Sequence, residues 1–165
     1  MSKGIDIPID ALITQLTAGL WTTNNCQFYG RVFRNEFNGK IQPLYYISAE
    51  ESVDPLKDDR KDAQCFVDVM PVRKMYADVI EAEVRLLFMV NLSALYPGLS
   101  RTESIEQVMQ DVTAELMQSQ FDLIQMVSGY TAFDDYIWKE DTSTDVGLDH
   151  VFRFDLKLTY CNTDN

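Results

Sequence analysis

The apolar pattern of this chain predicts an α+β fold: a mixed, mainly antiparallel sheet with a long central strand, packed against an N-terminal helix and a central amphipathic helix. Three stretches carry the prediction. Residues 79–92, VIEAEVRLLFMVNL, put Ile80, Ala82, Val84, Leu86, Phe88, Val90 and Leu92 on one face, because successive side chains of a strand point to opposite sides. The other face carries Glu81, Glu83 and Arg85 and turns apolar at Leu87 and Met89, which predicts cover on one side throughout and on both at the far end. Residues 101–119 repeat Ile105, Val108, Met109, Val112 and Leu116 at helical spacing. Residues 148–160 alternate again, with Phe152, Phe154, Leu156, Leu158 and Tyr160 opposite Val151, Arg153, Asp155, Lys157 and Thr159.

The elements follow in order. Residues 1–8 read as a tail into a helix that starts near Pro8, capped by Asp6 or Asp10 and marked by Ile9, Leu12, Ile13, Leu16 and Leu20. Residues 26–34 form a strand, and Asn38-Gly39 announces a hairpin, since both residues tolerate the positive φ of a type I′ turn. The return strand is 41–48, held to an edge or to a start after Pro43, which has no amide hydrogen to donate. Residues 49–62, AEESVDPLKDDRKD, are an exposed acidic loop. A third strand spans 63–70 and ends at Pro71, with 72–78 a link or a continuation through a bend. Residues 93–100 are a loop before the helix at 101–119, where Ser100 and Glu103 have capping-box spacing. Residues 121–127 fit either a helical continuation or a strand. A strand at 136–139 and a hairpin loop lead to the last strand, whose mixed charges suit an edge.

The whole reads as one domain of 165 residues, with 46% hydrophobic residues and 12% aromatics to build a core. A net charge of -12, from 26 acidic and 14 basic residues, repels phosphate backbones and argues against sequence-specific nucleic-acid binding. The same charge serves solubility, a position beside nucleic acid without gripping it, or imitation of it. Cys26, Cys65 and Cys161 are odd in number and widely spaced, which points to free thiols and a reducing, cytoplasmic origin. No stretch reaches the ~20 apolar residues of a membrane span, and the start lacks the apolar core of a leader.

Candidate chemistry is sparse, and no catalytic or cofactor-binding motif stands in the sequence. The carboxylates Glu50, Glu51, Asp54, Asp58, Asp59 and Asp62 lack the glycine and closing glutamate of a calcium loop, so no metal site is expected. Leu95, Tyr96 and Leu99 are more apolar than a solvated loop needs, and either fold onto the core or meet a partner. Residues 130–145 mix Tyr136, Ile137 and Trp138 with Asp134 and Asp135, a setting for acid–base chemistry only if the acids are held close and partly buried. Met109, Met117 and Met126 read as core filler. His150 has no serine or cysteine placed beside it in sequence, so no nucleophilic pair is expected.

With the helix at 9–20, the strand-to-helix unit at 79–119 and the closing HVFRFDLKLTY at 150–160, the chain resembles the tail-terminator, neck and tail-completion ring proteins of tailed bacteriophages. The resemblance implies a virion structural protein, not an enzyme and without a cofactor. It implies a homo-oligomer, a hexameric ring above others, assembled in the host cytoplasm. Such a ring sits at the tail end or head–tail junction, contacts the tail tube and connector or neck proteins, and leaves a channel for DNA. Partner contacts are then expected at Leu95, Tyr96, Leu99, Tyr136, Ile137 and Trp138. An acidic lumen or inter-subunit loop is expected at Glu50, Glu51, Asp54, Asp58, Asp59, Asp134 and Asp135. Two other readings compete: an acidic DNA-mimic inhibitor of a host protein, and a small ligand-binding domain using residues 130–145.

Overall fold

The apolar strand read from the sequence is β6 (Val79–Asn91) in the computed structural model, which describes residues 4–57, 61–137 and 149–161. It lies at the centre of a five-stranded sheet ordered β1 (Cys26–Arg31), β5 (Ala63–Tyr76), β6, β8 (Asp149–Cys161) and β7 (Asp122–Ser128). All neighbours are antiparallel except β1 and β5, which run parallel. The fold is α+β, as the apolar periods predict.

On one face, α1 (Asp6–Gly19) and α3 (Arg101–Met117) lay their apolar stripes over the strands. Ile9, Leu12 and Leu16 join Val108, Val112 and Leu116 in a single core with Val84, Leu86, Phe88, Phe154 and Leu156. Gln15 ties the helices together, donating to the Glu115 carbonyl at 2.6 Å and its carboxylate at 2.9 Å. The Ser100 hydroxyl accepts from the Glu103 amide at 3.2 Å and so fixes the start of α3, satisfying one of the amides a helix leaves unpaired at its N-terminus. The first helix departs from expectation. It begins at Asp6 rather than after Pro8, Ile5 stands at its cap position, and no side chain caps it. Pro8 fits its first turn because an amide there needs no intrahelical partner.

The second face is covered over half its length. A small antiparallel sheet of β2 (Phe33–Phe37), β3 (Lys40–Tyr46) and β4 (Ser52–Val53) lies over it, together with a 3₁₀ turn at Tyr130–Phe133. Val32, Ile41, Leu56, Phe133 and Tyr136 there bury Phe66, Leu87 and Val151. The β2–β3 turn has φ of 51° at Asn38 and 78° at Gly39, the left-handed pair its sequence predicts. Pro43 sits between two links on the far side of β3: Ile41 donates to the Asp135 carbonyl at 2.8 Å, and Tyr45 pairs with Val53 of β4. Its missing amide hydrogen therefore falls in the gap between them.

Other expectations need correction. Pro71 does not end β5, because the ladder with β6 shifts register between Val69 and Arg73 and absorbs the proline in a bulge. Residues 49–57 are not a bare loop: Leu56 is buried, and the Pro55 carbonyl accepts a hydrogen bond from Nε2 of the buried Gln64 side chain. The 93–100 loop opens with a one-turn helix, α2 (Leu92–Leu95), capped by Asn91 Oδ1 accepting from the Ala94 amide at 3.2 Å. Of the two alternatives left open for residues 121–127, the strand is the one found, at Asp122–Ser128. β8 lies between β6 and β7, so its mixed charges guard no edge. Tyr136 forms an isolated bridge to Ile41 instead of opening a strand, Ile137 is in no strand, and residues 138–139 of the expected strand lie outside the described residues.

Candidate functional site

Alternation along β5, β6 and β8 places one polar row across the second face, at the border between its covered and open halves. Asp68 pairs in register with Arg85, Arg85 with Asp155, and Asp155 with Gln125 of β7. The row alternates in sign. Arg153 grips Asp155 through Nε at 2.9 Å and Nη2 at 3.2 Å, while Arg85 reaches Asp135 at 2.8 Å and Asp155 at 3.7 Å. Bidentate arginine contacts fix a carboxylate's orientation. With Met70, Glu83, Ile124 and Leu156, the residues Arg85, Gln125, Arg153 and Asp155 line a depression of about 280 Å³.

Asp68 closes the row at its buried end. Its Oδ2 accepts from the Tyr136 hydroxyl and from Arg34 Nη1 at 3.0 Å, and its Oδ1 is buried with no hydrogen-bond partner among the described residues. Burial raises its carboxyl above the ordinary aspartate value of 3.8, against the opposing pull of Tyr136, Arg34 and Arg85. This group holds the 130–137 segment to the sheet and lies wholly out of solvent.

The residues expected at a partner surface divide. Leu95 and Tyr136 are buried, so they serve the core. Tyr96 is half-buried, accepting from Trp21 Nε1 at 2.7 Å and donating to Asp111 at 2.6 Å. Leu99 and Ile137 are exposed, and Trp138 lies outside the described residues. Of the expected acidic loops, Glu50, Glu51, Asp134 and Asp135 are exposed. Asp54 turns inward to accept from the Leu56 amide at 2.9 Å, and Asp58 and Asp59 lie outside the described residues. Asp134 and Asp135 are both exposed, and Asp135 pairs with Arg85 at 2.8 Å. Among the described residues, no three His, Cys, Asp or Glu side chains converge on a metal position.

No family model and no curated protein matches this chain.

One pairing escaped the sequence. Antiparallel pairing of β7 with β8 brings Ser128 Oγ to 2.7 Å from His150 Nε2, the spacing of a nucleophile and its base. The other ring nitrogen, Nδ1, faces the Arg101 guanidinium at 3.3 Å. Arginine only donates, so Nδ1 must accept and the ring proton sits on Nε2, pointing at Ser128. His150 is thus the donor to the serine, the reverse of what activates it. Burial, then the charge of Arg101, lowers the imidazole below its ordinary 6.5 and keeps it neutral.

Of the three methionines expected as core filler, Met109 packs half-buried against the first core, whereas Met117 and Met126 fall elsewhere. Met109, Met117 and Met126 line an apolar groove of about 420 Å³ between α3 and β7, with Thr113, Ala114 and Glu106. Met117 is 81% exposed and Met126 39%, so they are surface rather than core. Met126 lies on β7, the last strand of the sheet, whose Ile124 is also exposed, and Met117 stands at the end of the neighbouring α3. The signal was available: a helix whose apolar stripe ends in Met117, outside the Val108–Val112–Leu116 spacing, followed by a strand with no charge after Asp122.

Proposed function

We propose that this chain is a structural protein of a tailed-phage particle. In this reading it forms an oligomeric ring at the tail end or head–tail junction, meets the tail tube and the connector or neck proteins, and leaves a channel for DNA. The observation that carries the reading is the open strand β7. Among the described residues it ends the five-stranded sheet with Ile124, Met126 and the neighbouring Met117 exposed, and after Asp122 it carries none of the charges that blunt the edges of monomeric proteins. Such an edge belongs to a chain that assembles. The ring and the particle come from the resemblance of the sequence.

The charge supports a passage for DNA. Glu50 and Glu51 are exposed, and a net charge of -12 makes a wall of these subunits repel phosphates, so that a genome slides past without sticking. The Asp68–Arg85–Asp155 row supports a fixed scaffold over a reaction centre, because its accessible carboxylates are each held by arginine. Labelled antibody on intact particles tests the proposal: label confined to the neck or tail end is expected, and label on the capsid shell or none at all would contradict it.

A further inference from the structure

Where β1 leaves the main sheet, a hollow opens beside β5. Pairing of β1 with β5 ends at Arg31 and Val67, and the Val32 amide donates to the Val67 carbonyl at 2.9 Å as the backbone turns off into β2. β5 continues past that point and bulges around Pro71. Between the departing β2 and the bulge lies a cavity of about 430 Å³, within the range of roughly 300–1,000 Å³ usual for small-molecule sites. Its lining holds Arg31, Arg34 and Arg73 and no acid, in a chain where acids outnumber bases by almost two to one. The depression on the second face has no such bias, since Glu83 and Asp155 balance Arg85 and Arg153, and the charged group of the α3–β7 groove is Glu106.

Each of the three arginines is placed by a different contact. Arg34, the most buried, donates through Nη1 to Asp68 at 3.0 Å and lies 3.4 Å from Met70 Sδ. Arg31 pairs with Asp6 of α1 at 3.2 Å, an exposed contact that costs little to exchange. Arg73 stands opposite Ala82, on the other side of its strand from Lys74 and Glu81, and donates to the Tyr160 hydroxyl at 3.0 Å. Among the described residues no carboxylate pairs with it. A guanidinium has five N–H groups, so all three keep donors to spare. Beside them Phe33 and Tyr46 meet edge to face at 6.2 Å, exposed by 58 and 47%. Phe37 and Ile47, also exposed, stand at the hairpin turn and past the end of β3, outside this lining.

We propose that the hollow binds a small organic anion, whose carboxylate or phosphate is held by Arg31, Arg34 and Arg73 and whose flat apolar part lies against Phe33 and Tyr46. Guanidinium forks match both oxyanions, and the aromatic pair offers a ring an apolar wall. Support of the fold accounts for Arg34, which partners Asp68. It does not account for Arg31 and Arg73, which reach the hollow from β1 and β5 and make no bond to that carboxylate. The site is independent of the ring reading.

NMR titration of the isotope-labelled whole chain with four probes tests it. Phenyl phosphate and benzoate carry both ring and anion, inorganic phosphate the anion alone and benzyl alcohol the ring alone. At least one aromatic anion is expected to saturate, with amide shifts centred on residues 31–34 and 69–73, and to bind about tenfold or more tighter than inorganic phosphate or benzyl alcohol. Tighter binding of phenyl phosphate assigns a phosphate ligand, and of benzoate a carboxylate; either supports the site. Arg31→Gln and Arg73→Gln, both exposed positions, are each expected to weaken that binding about tenfold or more. Tyr46→Ser should weaken the aromatic anion and leave inorganic phosphate unchanged. Arg101→Gln, away from the hollow beside His150, should change neither. Circular dichroism verifies the fold of each variant. No saturable binding of either aromatic anion, binding by inorganic phosphate as tight as theirs, or Arg73→Gln binding like the wild type would each overturn the site.

Discussion

Replacing Tyr136 by Phe isolates what the buried end of the polar row contributes. The ring itself is retained, packed edge-on against Phe66 at 5.9 Å and Phe133 at 6.0 Å, so no cavity opens. What is lost is one of the two donors to Asp68 Oδ2, on a carboxylate whose other oxygen already lacks a partner among the described residues. A hydrogen bond to a charged group contributes about 1.5–3 kcal/mol. For a chain of this length that is a fall in Tm of about 3–12 °C. The loss should depend on pH, with a definite sign. Asp68 has a raised folded-state value, so between 3.8 and that value the folded state holds a proton the unfolded state has released, and stability falls as pH rises through the window. The Tyr136 hydroxyl favours the charged form, and its removal moves the value further up. Urea unfolding should therefore show a Tyr136→Phe penalty that is largest at pH 7 and shrinks towards pH 4, with the slope m unchanged. A variant as stable as the wild type at pH 7, or a penalty equally large at pH 4, would refute the reasoning.

Other outcomes follow from the same structure. Leu87→Ala, at the point where both faces of β6 are covered, should lose about 2–5 kcal/mol in urea unfolding, whereas Leu99→Ser at the surface should lose under about 0.5 kcal/mol. Ser100→Ala removes the α3 cap and should cost about 1 kcal/mol by the same measurement. Exposed Cys161 should react first with a thiol reagent at pH 8. Cys26, pushed up to about 11 chiefly by burial, should lag behind it, and the buried Cys65, also raised, should react only on unfolding.

The parts of the fold written in local pattern were legible from the sequence. Alternation along Ile80–Val90 marks β6 and even its doubly covered end at Leu87, because period-two burial is set by the neighbours each side chain touches. Ser100 and Asn38-Gly39 announce a cap and a turn because their chemistry acts within four residues. What depends on pairing distant strands was not legible. The parallel match of β1 with β5, and β8 between β6 and β7 instead of at an edge, follow from the assembled sheet. Tyr136 shows the cost of reading composition alone: set among acids and aromatics it resembles a surface residue, yet its ring completes the second core and its hydroxyl serves Asp68. Leu56 is a similar case, one apolar anchor within a charged run. The Ser128–His150 contact needed the β7–β8 register, and its polarity needed Arg101.

The central claim is that the chain is a fixed part of a particle. Quantitative mass spectrometry of purified particles made from the genome that encodes it, counting its copies against the major capsid and tube proteins, tests this most directly. The account predicts a constant small number of copies in every particle, six for a single hexameric ring. Particles that are complete and infectious without it would contradict the account.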